Sequence, residues 1–417
     1  MTMRITPLRS SKEDGITYLL QDDIRDSFIL ELDNVAITGR NTHYPNCLLK
    51  VSDKLISPYD ERVMSLNRDS FYDNDMWEPL SIANYSDLCE EPVFFFIYNV
   101  DNYYHFIYDT LSILSSYFIL KKTNLSLKLL INTSHPEKKY LLPFVIEFLS
   151  FLGINDYLMV SDTTLYKKVY VSTSFTHGQK SNEPYSTIAK TVWNKYNIPN
   201  KVSTPKRFYI SRRSWIHGKT ENIGTNYTTR RKCMNEDQVV DLLKQYDIQE
   251  VFTELLTTEE KIAYFQNAEL VVGVVGGGMC NLLFASSFTK SLCINTPHFL
   301  TINKRFQFSM NHTNIVYSDC TQPFEKNVKF QLYTRVRVIN KESNSYGFVG
   351  EVEKRSGTLY SILLSSNDIA GFSQDFPLIM KTFDETELKK LDDGLNSPYL
   401  CDIVQLEYDL KLLLKKC

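Results

Sequence analysis

The chain is predicted to be an α/β protein with two successive strand–helix blocks, a β-rich start and a β-rich end. Three observations predict this. Short apolar runs alternate with amphipathic stretches from Pro92 to about residue 200, and again from Arg207 to Asn295. A linker bounded by Pro199 and Pro205 separates the two blocks. Beyond residue 328 the pattern changes to strict alternation, with Val328, Phe330, Leu332, Thr334, Val336 and Val338 sharing one face of a strand. Two alternating blocks imply two doubly wound domains, with ligands at the carboxyl ends of the strands and facing a shared cleft. The expected divisions are residues 1–200, with a β-strand region over 1–75, then 201–327, then a small β-rich module with a closing helical segment over 328–417.

In the first block the expected elements are strand Val93 to Tyr98, a helix near Tyr104 to Leu120, strand Leu125 to Ile131, a helix near Glu137 to Phe151, strand Lys168 to Ser172 and a helix near Tyr185 to Tyr196. In the second they are strand Arg207 to Ser211, helix Glu236 to Tyr246, strand Ile248 to Phe252, helix Glu259 to Asn267, strand Leu270 to Val275, helix Met279 to Ser286 and strand Ser291 to Asn295. Thr257 followed by Glu260 is a capping box for the middle helix.

The 417 residues are 43% hydrophobic and 23% charged, a globular composition, and the formal net charge of −3 argues against a general nucleic-acid binder. Basic residues are instead local: between Lys206 and Lys232 lie eight, among them Arg212, Arg213, Arg230 and Arg231, with Glu221 the only acid. No apolar run is long enough for a signal peptide or a membrane span, so the expected location is cytoplasmic. Eight cysteines without a Cys-x-x-Cys fit reduced thiols and supply no zinc framework. Homo-oligomerisation is compatible with these features and not required by them.

Two segments carry chemistry. Leu270 to Phe284 runs from a buried-type strand into Gly276, Gly277 and Gly278 and then into an apolar helix start. Such a turn exposes backbone N–H groups and suits a phosphate, although tight packing of helix on sheet also explains its glycines. It has neither the Gly-x-Gly-x-x-Gly spacing of dinucleotide folds nor the Gly-Lys-Ser/Thr of a P-loop. In Asp101 to Leu111, a helix from about Tyr104 puts Tyr104, Ile107, Leu111, Leu114 and Phe118 on one apolar face and His105, Asp109, Ser112 and Ser116 on another. A histidine and a carboxylate four apart orient one another and offer a general base, whereas a surface ion pair is the simpler reading of the pair in isolation.

Read together with Arg230-Arg-Lys-Cys-Met-Asn-Glu236, these segments resemble glycosyltransferase family 61. That family has an Asn-Tyr-Tyr-His-Trp-x-x-Asp-x-Leu helix, an Arg-Arg-x-x-x-Asn-Glu element and a His-Gly-Ala-x-x-x-Asn loop in this order. The resemblance covers about residues 25 to 300. It implies two Rossmann-like domains of the GT-B type and an inverting transfer from a nucleotide sugar, commonly UDP-xylose or UDP-N-acetylglucosamine, to a glycan or glycoprotein acceptor. With no signal segment, the chain groups with the soluble bacterial and large-virus members, placing it in a bacterial cytoplasm or a host cytoplasm. Residues 1–200 then form the acceptor side and 201–327 the nucleotide-sugar side.

By position, Asn102, His105 and Asp109 fall on the first motif, Arg230, Arg231, Asn235 and Glu236 on the second, and Gly276, Gly277, Gly278 and Asn281 on the third. Asp109 is the expected base, with His105 as orienter or alternate, and Asn102 serves the acceptor. The N–H groups of Gly277 to Cys280, with Arg212, Arg230 or Arg231, are expected to hold the leaving diphosphate. Glu236 binds the ribose hydroxyls or caps its helix. Arg213 and Lys232 read as solvated charge. The chain departs from the family at Val275, where the loop histidine falls, at Gly277 in place of alanine, at Phe106 in place of tryptophan and at Lys261, where glutamine is common. The Val275 departure leaves open a non-catalytic nucleotide-sugar or glycan-binding protein, and a nucleotide-dependent oxidoreductase is a third reading. No metal or other cofactor is expected: Asp73-Asn-Asp75 imitates a metal motif but sits in a polar connector.

Overall fold

A computed structural model describes residues 5–11, 16–21, 28–38, 48–51, 54–56, 84–96, 103–132, 141–161, 163–172, 195, 203–213, 232–296, 314–324, 328–366, 379–392 and 397–415. Its class is α/β, with several sheets.

The first sheet contains β1 (Ile5–Ser11), β2 (Ile16–Gln21), β3 (Phe28–Thr38), β4 (Leu48–Val51), β5 (Lys54–Ile56), β6 (Asp87–Cys89), β7 (Val93–Phe95), β8 (Lys128–Ile131), β9 (Tyr157–Met159) and β10 (Thr164–Ser172). β1 to β5 pair antiparallel, and β3 joins the rest by a long antiparallel register with β10, from Leu165 opposite Ala36 to Ser172 opposite Ile29. On its other edge β10 runs parallel to β6 and β7, and β8 and β9 follow in parallel. Alternation sorts the side chains to two cores. Phe94, Phe96, Leu129 and Ile131 face the helices, while Val93, Phe95, Leu130 and Val169 enter a smaller cluster with Leu30, Leu32 and Val35.

The second sheet is parallel throughout: β11 (Arg207–Ile210), β12 (Gln249–Val251), β13 (Leu270–Val274), β14 (Lys290–Ile294) and β15 (Ile315–Ser318), in the order β12-β11-β13-β14-β15. β13 is buried at every position, as a central strand covered on both faces must be. From β11 the chain progresses to one side of the sheet, and from β13 to the other. The crevice between their carboxyl ends is therefore the topological switch point, where open α/β sheets take their ligands.

The segment after β7 is not the single α-helix expected from its spacing. Tyr103–His105 begins an α turn, Phe106–Thr110 is a π turn, Leu111–Ile113 a 3-10 turn, and only Leu114–Lys121 is a regular helix, α1. Nor does it keep a polar face: Asp109, Ser112, Ser115 and Ser116 are all buried. Their hydroxyls are satisfied internally, Ser112 donating to Asp109 O at 2.8 Å, Ser115 to Ser112 O at 2.9 Å, and Ser116 pairing with Ser172 at the end of β10. The remaining helices are α2 (Pro143–Phe151), α3 (Glu236–Lys244), α4 (Thr258–Gln266) and α5 (Ile403–Lys415). The expected capping box closes α4: Thr257 accepts from Glu260 N, and Glu260 accepts from Thr257 N. The segment expected as helix Met279 to Ser286 is instead a 3-10 turn, Met279–Phe284, and the expected helix Tyr185 to Tyr196 lies outside the described residues.

Beyond β16 (Thr321–Pro323) stands an antiparallel sheet of β17 (Arg335–Val338), β18 (Val349–Ser356), β19 (Leu359–Ser366), β20 (Ile379–Asp384) and β21 (Leu388–Asp392). The alternating run from Val328 is strand only from Arg335, because Tyr333 adopts φ of 64° and Thr334 N donates back to Gln331 O. After β22 (Tyr399–Cys401), which pairs with β16, α5 does not close this module as its sequence position suggested. Its stripe of Leu406, Leu410 and Leu413 enters the same core as β13 and β14, and Tyr246 and Ser318 donate to Glu407 and Asp409.

Candidate active site

The carboxyl ends of the two sheets meet. After β7, the Tyr103 hydroxyl donates to Asn281 Oδ1 at 2.6 Å, and the Cys280 thiol lies 3.6 Å from Tyr104 O. Phe148 stacks on Phe284 with centroids 6.0 Å apart, and Glu147 at α2 accepts from the amide and hydroxyl of Thr258 at 3.1 and 2.6 Å. The first motif is thus held against the glycine turn that follows β13.

His105 Nδ1 lies 2.7 Å from Asp109 Oδ2, with the carboxylate side chain 1% exposed and the imidazole 32%. An ionised carboxylate only accepts, so Nδ1 carries the proton of this bond; in the neutral ring Nε2 then holds the lone pair. The Asp109 charge also faces the glycine turn. The Cys280 thiol is pushed well above its ordinary range, first by burial and then by Asp109.

In the glycine turn Gly276 has φ of 149°. The amides of Met279, Cys280 and Asn281 donate to Gly276 O, Gly277 O and Gly278 O, so the expected row of outward N–H groups shortens to those of Gly277 and Gly278. A 3-10 turn closes on carbonyls three residues back, which is why the Met279 and Cys280 amides are withdrawn. Asn281 is fully buried between Tyr103 and Gly278 O, to which its Nδ2 donates at 3.0 Å. It shapes the turn from inside.

On the strand beside it, Glu236 at the start of α3 is 3% exposed, and its Oε1 accepts from Tyr209 Oη, Ser211 Oγ and Arg212 N at 2.9, 3.1 and 2.8 Å. It fastens the end of β11 rather than capping its own helix. Oε2 is buried with no partner among the described residues. Burial raises the Glu236 pKa against the pull of these three donors. Asn235 is likewise internal, donating to Cys401 O at 2.8 Å and accepting from Cys401 N at 2.9 Å. Arg213 is not solvated charge: its fork grips Glu250 at 2.6 and 2.7 Å and also meets Asp237. Arg212 extends from the end of β11, at the switch point. Asn102, Arg230, Arg231, and Asp73 with Asp75, lie outside the described residues. Among the described residues no cluster of three His, Cys, Asp or Glu side chains forms a metal cage, and no helix is long and apolar enough to cross a membrane.

Tyr103 is the residue that motif reading passed over. Its neighbours His105 and Asp109 drew attention as titratable groups, yet it makes the polar link to the glycine turn. The repeated tyrosine of Asn-Tyr-Tyr-His was the available signal.

Residues 103–292 match the family model described as Glycosyltransferase 61. This region belongs to glycosyltransferase family 61. The match spans His105 and Asp109, Arg230 to Glu236 and the glycine turn, and the family implies an enzyme that transfers sugar from a donor to an acceptor. No curated protein gives a significant match to the chain.

Two expectations follow from the geometry. A Cβ at Gly278 would stand 2.8 Å from Ile210 Cγ2, whereas one at Gly277 would meet nothing closer than Tyr103 Cδ1 at 3.7 Å. Gly278→Ala should therefore lower unfolding free energy by about 1–3 kcal/mol in a denaturant titration, while Gly277→Ala, which restores the family's alanine, should change it by less than about 0.5 kcal/mol. At Glu236 the folded-state pKa is raised, so its contribution to stability is fully present below the ordinary carboxyl pKa and is lost as pH rises through the folded value. Glu236→Gln keeps an oxygen for the three donors and removes the buried charge. The wild-type stability should fall relative to this variant with rising pH across that window, by about 1.4 kcal/mol per unit of displacement, read from paired pH–stability curves.

Proposed function

We propose that the chain is an inverting glycosyltransferase that takes a nucleotide sugar, UDP-xylose or UDP-N-acetylglucosamine, and glycosylates a glycan or glycoprotein acceptor. The observation that carries this reading is the Tyr103–Asn281 bond, which sets the His105–Asp109 pair against a glycine turn at the switch point of a parallel sheet. The arrangement is read as GT-B-like, with an acceptor side within residues 1–200, a donor side over 201–327 and a cytoplasmic setting. The module over 328–417 is read as accessory to both.

In this reading the base role passes from Asp109 to His105. Asp109 is buried behind the ring, so the more exposed imidazole is the group an acceptor hydroxyl can reach, and the carboxylate fixes its tautomer and stabilises the imidazolium. His105 Nε2 takes the hydroxyl proton as the acceptor oxygen bonds to the anomeric carbon. The bond from that carbon to the diphosphate breaks, and its electron pair leaves with the phosphate. The Gly277 and Gly278 amides and the cations around Arg212, with Arg230 and Arg231, meet the growing charge. Cations of the protein take the place a metal holds in other transferases. Glu236 Oε2 is assigned to a ribose hydroxyl, and Asn235 and Asn281 to shaping the site.

Thermal unfolding with UDP-, GDP-, CMP- and dTDP-sugars, with NADH as control, tests the donor assignment. One nucleotide sugar at roughly 100 times its dissociation constant should stabilise the protein by about 2.7 kcal/mol. Silence across the panel sinks the reading. With that donor and a glycan acceptor array, His105→Ala and Asp109→Asn should each reduce turnover by about 10²- to 10⁴-fold while leaving nucleotide binding intact. The buried Val275, where the family's histidine falls, favours a second reading, a nucleotide-sugar-binding protein without transfer. It predicts that neither substitution alters function.

A further inference from the structure

Lys261 lies in α4, 9% exposed. Lysines are almost never buried this far without a charged partner. Yet among the described residues no carboxylate stands within ion-pair distance, and the three that act on it do so only through space: Glu147, Glu254 and Glu260. Two of these are engaged elsewhere, Glu147 by Thr258 and Glu260 by Thr257. The Lys261 ammonium instead rests 5.1 Å from the centroid of the Tyr103 ring. That ring is the wall of the glycine turn, with its Cδ1 3.7 Å from a Cβ position on Gly277 and its hydroxyl on Asn281. Burial without a paired anion lowers the lysine's pKa, the mark of an ammonium whose counter-charge is missing.

We infer that Lys261 is the cation that receives the donor's diphosphate at the glycine turn, taking up the charge that Val275 does not provide. The inference rests on the nucleotide-sugar reading above. An ammonium on the ring that packs against Gly277, together with the Gly277 and Gly278 amides, supplies donors for phosphate oxygens, and a bound diphosphate would offset the cost of burying that charge. It also gives the Tyr103–Asn281 bond a second task, since the ring that it fixes holds the lysine at the turn. Glu254 is the competing explanation: its Oε1 is buried without a partner, and a purely structural Lys261 would serve to neutralise it.

Calorimetric titration of the full chain with UDP and GDP, and with uridine and guanosine as phosphate-free controls, compares wild type with Lys261→Met and Lys261→Arg. One diphosphate should bind the wild type, bind the methionine variant about tenfold or more weakly, and bind the arginine variant with near wild-type affinity. The matching nucleoside should not distinguish the three, and unliganded Lys261→Met should melt no lower than wild type. Equal diphosphate affinity in wild type and Lys261→Met overturns the inference and leaves the donor reading standing. Failure of both diphosphates to bind wild type overturns both. A methionine variant that melts well below wild type marks the structural role beside Glu254. Should it not fold, Lys261→Gln and Lys261→Arg carry the affinity comparison.

Discussion

The hydrogen bond from Tyr103 to Asn281 is the constraint on which the rest of the site depends. Taken alone, a neutral bond of this kind contributes only about 0.5–1.5 kcal/mol. The apolar contacts around it do more to hold the two sheets together: Phe144 edges onto Tyr103, and Phe148 packs between Tyr103 and Phe284. Apolar contact does not fix direction, however, and the bond does. It joins a residue at the start of the irregular helix to one inside the 3-10 turn, so that His105 and the glycines hold one orientation.

Most of the polar groups at this junction are buried, and most are fasteners. Asn235 holds β22, Asn281 holds the glycine turn and Glu236 holds the end of β11. Each has its partners because an unpaired buried polar group is costly. Glu236 Oε2, Glu254 Oε1 and Tyr399 Oη, buried with no partner among the described residues, depart from that rule. A site evolved only for packing would have replaced them with apolar groups of similar size.

The parallel sheet was legible almost element by element, because β11, β13 and β14 read as continuous apolar runs and α4 announces itself by Thr257 and Glu260. The His105–Asp109 pair was legible for a simpler reason: four residues apart is contact distance in any helical turn. Periodicity does not reveal where an α-helix gives way to π and 3-10 turns. The segment from Phe106 to Ser112 is buried on every side, so it has no polar face to mark its phase. Nor does periodicity reveal exposure, which is what separates the buried Asp109 from the more exposed His105. The alternation from Val328 misled because one residue, Tyr333, takes a left-handed conformation that its side chain gives no reason to expect. Asn235 and Asn281 carry the family's spacing, but only the fold reveals that their amides point inward.

The charge pattern across the junction has a direction. Asp109 and His105 stand in the segment after β7, Lys261 and Arg212 on the side of the parallel sheet, and Lys261 rests on the Tyr103 ring. Proton removal from an acceptor and relief of charge on a leaving diphosphate are opposite demands, and a site that placed both groups in contact would neutralise each with the other. Asp109 pairs with His105 and, among the described residues, makes no ion pair with Lys261, so neither charge neutralises the other.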